Sequence, residues 1–255
     1  MFELKDIKVE RDGRTILDIG AMTLDTNAFT VILGHNGSGK STLLNLLARQ
    51  WQPNTGDITL DNKAISNFSQ RELAKKVAYL PQSLPEVAGL TVKELVRLGR
   101  FPWRGTFGRW RREDTEIINE SMLKTDVMQY QDTLADQLSG GERQRAWIAM
   151  LLAQMSPVLL LDEPTSALDL SHQYDLMQLL KKLNQETGKG VVVVLHDINL
   201  ALRFADKVVA LRKGKIFMEG QIDLLLDQQK LSELYDIPVQ ILDLPQGNRK
   251  VVYVS

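Results

Sequence analysis

A chain of 255 residues, 44% apolar and 25% charged, has room for one large α/β domain or for a domain with a sizeable insertion. Basic and acidic residues nearly cancel to a net charge of −1, so composition gives no general electrostatic case for nucleic acid. The absence of cysteine excludes disulfides and thiolate metal sites.

The opening "MFELKDIKVERDG" lacks the apolar block of a signal peptide. The longest apolar runs, "VLLL" and "VVVVL", are strand-sized rather than membrane-spanning. A soluble chain is therefore expected, with any membrane role carried by a partner. "FELKDIKV" places Phe2 and Leu4, then Ile7 and Val9, on one face with a slip of phase, as in a bulged strand. "TILDIGAMTL" and "GDITLD" read as further strands. "FTVILG" is apolar on both faces, as a central strand should be, and runs into a glycine-rich loop and the helix "KSTLLNLLARQ".

Ser69 with Glu72 and Thr91 with Glu94 have capping-box spacing and predict helices starting near "RELAKK" and "VKELVRLG". Residues 113–130 read as a polar-faced helix. "PVLLLDEP" and "VVVVLHD" are apolar strands ending in acids or a histidine, with a leucine-rich helix over 171–187 between them that stops at Gly188. Strand–helix–strand alternation of this kind predicts a parallel sheet flanked by helices. "VVALRKGKIFMEG" reads as a hairpin around Lys213-Gly214.

The loop "GHNGSGKST" fits G-x-x-x-x-G-K-[ST], after a strand and before a helix. Gly34, Gly37 and Gly39 let the backbone curl until successive N–H groups, those of His35, Asn36 and Ser38 among them, face one centre, a cradle for polyphosphate at a helix N-terminus. Lys40 reaches the β- and γ-phosphates as a point charge, Ser41 is placed to ligate Mg²⁺, and Thr42 completes the motif. A flexible surface turn would not need all three parts. "VLLLDE" ends a buried strand in Asp162, suited to a Mg²⁺ shell, and Glu163, suited to activate the attacking water. As a lone pair these acids would simply cap a loop. His196 at the tip of "VVVVLHD" would by itself be an ordinary strand-end histidine; beside a phosphate loop it is a candidate for the γ-phosphate and the water. Gln82, after "KVAYLP", is a neutral amide suited to Mg²⁺ or the water.

"LSGGERQR" poses a separate question, because one chain already has a phosphate loop. Ser139 and Glu142 have capping-box spacing before the apolar helix "AWIAMLLAQ". A plain capped helix accounts for those two residues. It does not account for Gly140 and Gly141 in a first turn, where each costs up to about 1 kcal/mol relative to alanine. Close approach of a ligand to the free N–H groups would account for them.

The ordered set "GHNGSGKST", "YLPQ", "LSGGE", "LLLDEP", "SALD" and "LHD" resembles the ATPase subunits of ABC transporters over nearly the whole chain. The resemblance implies a P-loop NTPase fold: one nucleotide-binding domain over 1–255, with an α/β core and antiparallel β subdomain in 1–83 and 156–220, a helical signature subdomain in 84–155 and a tail in 221–255. It implies ATP and Mg²⁺ as cofactors and a head-to-tail homodimer in which Ser139, Gly140, Gly141 and Glu142 dock on the partner's ATP. Asp169 in "SALD" then matches the loop that couples the two pockets. The position where the family often stacks an aromatic residue on adenine is Arg11, whose guanidinium can also stack but would discriminate less against GTP.

"GLTVKELVRLGRFPWRGTFGRW" interleaves Arg97, Arg100, Arg104, Arg109, Arg111 and Arg112 with Phe101, Trp103, Phe107 and Trp110. A solvated basic face with core aromatics, a nucleic-acid surface and a docking surface for membrane subunits are three readings of it. The wording there, with "KVAYLPQ", "GERQRAWIAMLLAQ" and "LHDINLALRFAD", resembles ferric-siderophore and cobalamin import ATPases, above all the ferric-hydroxamate type, which favours docking. The expectation is an ATPase subunit of a bacterial iron-siderophore importer, on the cytoplasmic side of the membrane. It would work with two permease subunits and, indirectly, a substrate-binding protein, and without nucleic acid. A cobalamin or haem importer of the same type is the nearest alternative. A soluble ABC-type ATPase acting on nucleic acid or the ribosome is the alternative of another class, and a simple P-loop kinase leaves "LSGGE" and "LHD" without a purpose.

Overall fold

The computed structural model describes residues 1–104, 109–243 and 250–254, so Phe107 of the basic, aromatic stretch lies outside the described residues. Two compact units arise, one from residues 1–65 and 192–255 and one from 66–191.

The first unit begins with β1 (Phe2–Arg11), β2 (Arg14–Leu24), β3 (Phe29–Leu33), α1 (Lys40–Leu47), β4 (Thr55–Leu60) and the short β5 (Lys63–Ala64). An antiparallel sheet takes the order β2-β1-β4-β5. The slip of phase in β1 is real. Phe2, Leu4, Ile7 and Val9 are all buried, because Asp6 adopts a φ of +51° and the register against β4 shifts between Lys5 and Lys8. That extra residue returns Ile7 to the face that strict alternation would have denied it. β3 is buried at every residue, as its two-sided apolar pattern requires.

The second unit contains α2 (Gln70–Ala74), β6 (Val77–Leu80), α3 (Val92–Leu98), α4 (Phe101–Arg104), α5 (Arg112–Lys124), α6 (Gly140–Ala153), β7 (Val158–Asp162) and α7 (Leu170–Thr187), and the chain leaves it within β8 (Gly190–Val194). Both predicted capping boxes form: Ser69 and Glu72 close the start of α2, Thr91 and Glu94 that of α3. The helix expected over 113–130 stops earlier, at Lys124. Asp126 turns left-handed at φ +54°, and Val127 N–H reaches back to the Met122 carbonyl at 3.0 Å. This closes the helix with a residue other than the usual glycine and buries Val127. α7 ends where expected, at a left-handed Gly188. β6 and β7 pair in parallel, Leu80 opposite Leu161.

The chain returns to the first unit through α8 (Ile198–Phe204), β9 (Lys207–Arg212), β10 (Lys215–Gln221), α9 (Gln228–Tyr235), β11 (Val239–Asp243) and β12 (Lys250–Val254). There the strands run in the order β10-β9-β3-β8, with β3 and β9 parallel. The β9–β10 hairpin turns on Lys213 and Gly214, both at positive φ, as a two-residue turn demands. Among the described residues, no helix is long and apolar enough to cross a membrane.

Candidate functional site

The phosphate loop is built against its own unit. Gly34 sits at φ +141°, and a Cβ there would collide with the Leu211 carbonyl oxygen at the end of β9. Gly39 sits at φ +102°, and a Cβ there would approach Leu17 Cδ1 to 2.8 Å. Gly37, at φ +77°, needs glycine for its backbone angle alone. Gly39 occupies the N-cap of α1 and provides no side-chain cap, so the first N–H groups of the helix face outward for an anion. The buried Lys40 ammonium donates to the carbonyls of Gly34 at 2.8 Å and His35 at 3.0 Å. Its positive charge is thus fixed inside the curl. Ser38 Oγ is buried with no hydrogen-bond partner, a donor that a phosphate oxygen would satisfy. Ser41 and Thr42 follow Lys40 in the first turn of α1.

The acids lie in the second unit. β7 ends at Asp162, which is buried. Glu163 next to it adopts a φ of +49°, an uncommon angle for a non-glycine residue and typical of functional loops. Its carbonyl accepts from the Ser166 hydroxyl at 3.0 Å and the Ser166 N–H at 3.2 Å. Its carboxylate accepts from Gln82 Nε2 at 2.6 Å. Register explains the meeting: Leu80 and Leu161 are partners on parallel strands, and Gln82 and Glu163 each lie two residues further on. His196 belongs to the first unit, just beyond β8 and exposed, while its neighbour Asp197 caps α8. Ser41 in the first unit, and Gln82 and Asp162 in the second, each carry an oxygen donor of the hard kind that Mg²⁺ takes. No group of three or more His, Cys, Asp or Glu side chains suited to a metal occurs among the described residues.

At the second glycine pair, Ser139 and Glu142 form the predicted capping box at the head of α6. Glu142 accepts from the Ser139 N–H at 2.9 Å and from its hydroxyl at 2.7 Å. The Tyr130 hydroxyl adds a further hydrogen bond and is the main reason the Glu142 carboxyl is lowered to about 2, followed by the Ser139 hydroxyl and N–H. Tyr130 is a contributor that the sequence pattern did not flag. Gly140 is different in kind from Gly34. It lies in helical backbone, and the nearest atom to an added Cβ is the Ala167 carbonyl oxygen at 3.9 Å. Asp169 caps α7, accepting from the His172 N–H at 2.9 Å and pairing with His172 Nδ1 at 2.8 Å; those bonds hold its carboxyl below the usual range.

Arg11 lies with its guanidinium 3.5 Å from the ring centroid of Trp51, another partner missed by pattern. In the basic stretch, Arg100 is buried and bonds Asp114 at 2.9 Å and the Ala153 carbonyl at 2.9 Å. Burial alone would raise Asp114, but the hydrogen bonds from Arg100 and from the Arg111 N–H, with the charges of Arg100 and Arg104, outweigh it and hold the carboxyl low. Arg97 and Arg104 stack on Trp110 at 4.2 and 3.6 Å. With Leu98 and Phe101 they line an open groove of about 270 Å³.

A strand feeding a glycine loop and a helix N-terminus, with a buried acid and a glutamate at the tip of another strand, defines a P-loop nucleotide-binding ATPase. The sequence profile of the ABC transporter family matches residues 17–166. The ferric enterobactin transport ATP-binding protein of Escherichia coli is 43% identical over 224 residues, 88% of this chain and 83% of that one. The iron(3+)-hydroxamate import ATP-binding protein of Bacillus subtilis is 40% identical over 238 residues, 93% of this chain and 88% of that one. The dimeric post-hydrolysis structure of an ATP-binding cassette bound to ADP and Pi superposes with a TM-score of 0.78 at 34% identity, covering 87% of this chain and 99% of that one. The chain belongs to the ABC transporter family, as one of its ATP-binding, ATP-hydrolysing subunits.

Proposed function

We propose that this chain powers the import of ferric siderophores as a homodimer, docked on two integral-membrane permease subunits at the cytoplasmic face and served indirectly by a substrate-binding protein. The observation that carries the shared-site reading is Gly140. Its own fold does not require glycine there, so close approach by a partner's nucleotide supplies the reason. Lys40 and the loop N–H groups hold the β- and γ-phosphates of one ATP. Ser139, Gly140 and Gly141 of the other copy close on the γ-phosphate, with Glu142 fixing the cap.

Glu163 accepts a proton from the attacking water, held by the Gln82 amide at 2.6 Å. His196 donates to the γ-phosphate, and Asp169 couples the pockets across the dimer. Mg²⁺, when bound, supplies charge neutralisation at the phosphates, held by Ser41, Gln82 and Asp162. Arg11, with Trp51 beneath one face of its guanidinium, offers the other face to the base. The helical signature subdomain over 84–155 carries Ser139 and the groove at Trp110, and the core over 1–83 and 156–220 carries the loop. Binding closes the dimer and hydrolysis reopens it.

The Trp110 ring at that groove is already stacked by Arg97 and Arg104 within the chain, which supports protein docking over base stacking there. The siderophore cargo rests on the relatives at 43% and 40% identity. Glu163→Gln should retain ATP and trap a dimer on size exclusion; rapid hydrolysis by this variant would remove Glu163 as the base. Cells lacking the chain should lose uptake of radiolabelled ferric siderophore and regain it with the wild-type chain only. Loss of haem or cobalamin uptake instead would reassign the cargo.

A further inference from the structure

We propose that Tyr235 and Asp236, at the end of α9, are positioning residues that hold the tip of the phosphate loop in its nucleotide-receiving shape. This rests on the reading of Gly34–Thr42 as the phosphate site. The tip is an intrinsically loose segment, with glycines at φ +141°, +77° and +102° within six residues, and an open cavity of about 340 Å³ borders His35, Asn36, Gly37 and Ser38. Preorganised donors bind better than donors that must first be ordered, so something has to hold this arc.

The sequence places the hold two hundred residues downstream. The His35 and Tyr235 rings meet edge to face, with centroids 5.4 Å apart and planes at 63°, a geometry favoured by ring quadrupoles. Asp236 Oδ2 lies 3.9 Å from His35 Nε2, and Asp236 adopts φ +53° as it leaves the helix. Asp236 Oδ1 accepts from Arg212 at 2.7 Å, and Glu233 takes the guanidinium's other end at 3.1 Å. Arg212 follows Leu211, the residue against which Gly34 is packed, and Gly214 N–H donates to the Ser38 carbonyl at 3.2 Å. One strand end, β9, therefore braces the loop backbone and the helix that holds its tip. The Tyr235 hydroxyl is buried; burial above all pushes it up to about 12, with the Gly34 backbone pulling the other way and the Asp197 charge adding to the rise, so it stays a neutral group beside the first residue of the loop.

The test uses the full chain, a fluorescent ATP analogue for affinity and MgATP for steady-state rates. Tyr235→Leu keeps the apolar bulk and removes the ring edge. It should raise both the dissociation constant and the KM about three- to tenfold while kcat at saturating ATP holds, and Tyr235→Phe should restore the wild-type KM. In a His35→Ala background the Tyr235→Leu effect should shrink below about twofold, because the contact is already gone. Asp236→Ala, at an exposed position, tests the same tip without disturbing packed rings and should raise KM by about twofold or more. Unchanged KM in both variants, or an undiminished Tyr235→Leu effect in the His35→Ala background, overturns the proposal. Lys40→Ala serves as the control. If it loses nucleotide while Tyr235→Leu and Asp236→Ala do not, the positioning role alone fails. If Lys40→Ala binds nucleotide normally, the phosphate-loop reading itself fails.

Discussion

The loop at Gly34–Thr42 and the helix start at Ser139–Glu142 are both glycine-bearing sites with outward N–H groups, yet their glycines answer to different neighbours. At the loop, Gly34 and Gly39 are demanded from within: positive φ angles and the approach of Leu211 and Leu17 leave no room for a Cβ. At the helix start, Gly140 has helical backbone, and a Cβ there would make no closer contact than 3.9 Å, to the Ala167 carbonyl oxygen. A residue that weakens its own helix and relieves no internal contact is explained by something outside the chain. In the proposed dimer, the first region is a pocket that one copy builds and the second a surface that one copy presents to its partner.

The largest expected effect comes from forcing a side chain into the first region. Gly34→Ala should destabilise the chain by about 2–4 kcal/mol, from the strained φ and the collision with the Leu211 carbonyl, and should lose nucleotide affinity; chemical denaturation and analogue binding read the two losses. Near-normal stability would remove the internal reason for that glycine. The same substitution at Gly140 should have the opposite sign in stability, a gain of up to about 1 kcal/mol, together with a fall in ATP turnover of about tenfold or more. A stabilised variant with full turnover would break the contrast between the two regions.

The smallest effect concerns pH at the second region. The Glu142 carboxyl is lowered from 4.5 to about 2 in the folded chain. Its contribution to the α6 cap is therefore present above pH 4.5 and is lost as pH falls through about 2. Carbon-13 titration of Glu142 should show the low midpoint, and Tyr130→Phe should move it up, since the Tyr130 hydroxyl is the leading cause. An unmoved midpoint in that variant would assign the depression to Ser139 alone.

Much of this was legible in local pattern. Ser69, Thr91 and Ser139 announced three capping boxes, Gly188 a helix stop and Lys213-Gly214 a hairpin, because caps and turns are short-range devices whose partners lie within four residues. The slip between Leu4 and Ile7 announced the bulge at Asp6. The early stop of α5 was not legible, because Asp126 takes a left-handed angle that sequence rules reserve for glycine, and it is compensated by burying Val127. Neither Arg11 on Trp51 nor Tyr130 on Glu142 was visible, since no periodicity links such pairs.

The sequence by itself determined the phosphate loop, the order of its strands and helices, the family and the identity of the candidate reacting groups, because each of these is written in contiguous residues of fixed spacing. Only the tertiary structure decided that Gln82 hydrogen-bonds Glu163, that Arg100 is buried with Asp114, and that Tyr235 and Asp236 reach His35. Those contacts depend on strand register and on chain segments up to two hundred residues apart, where the free energy of packing, rather than local propensity, selects the partner.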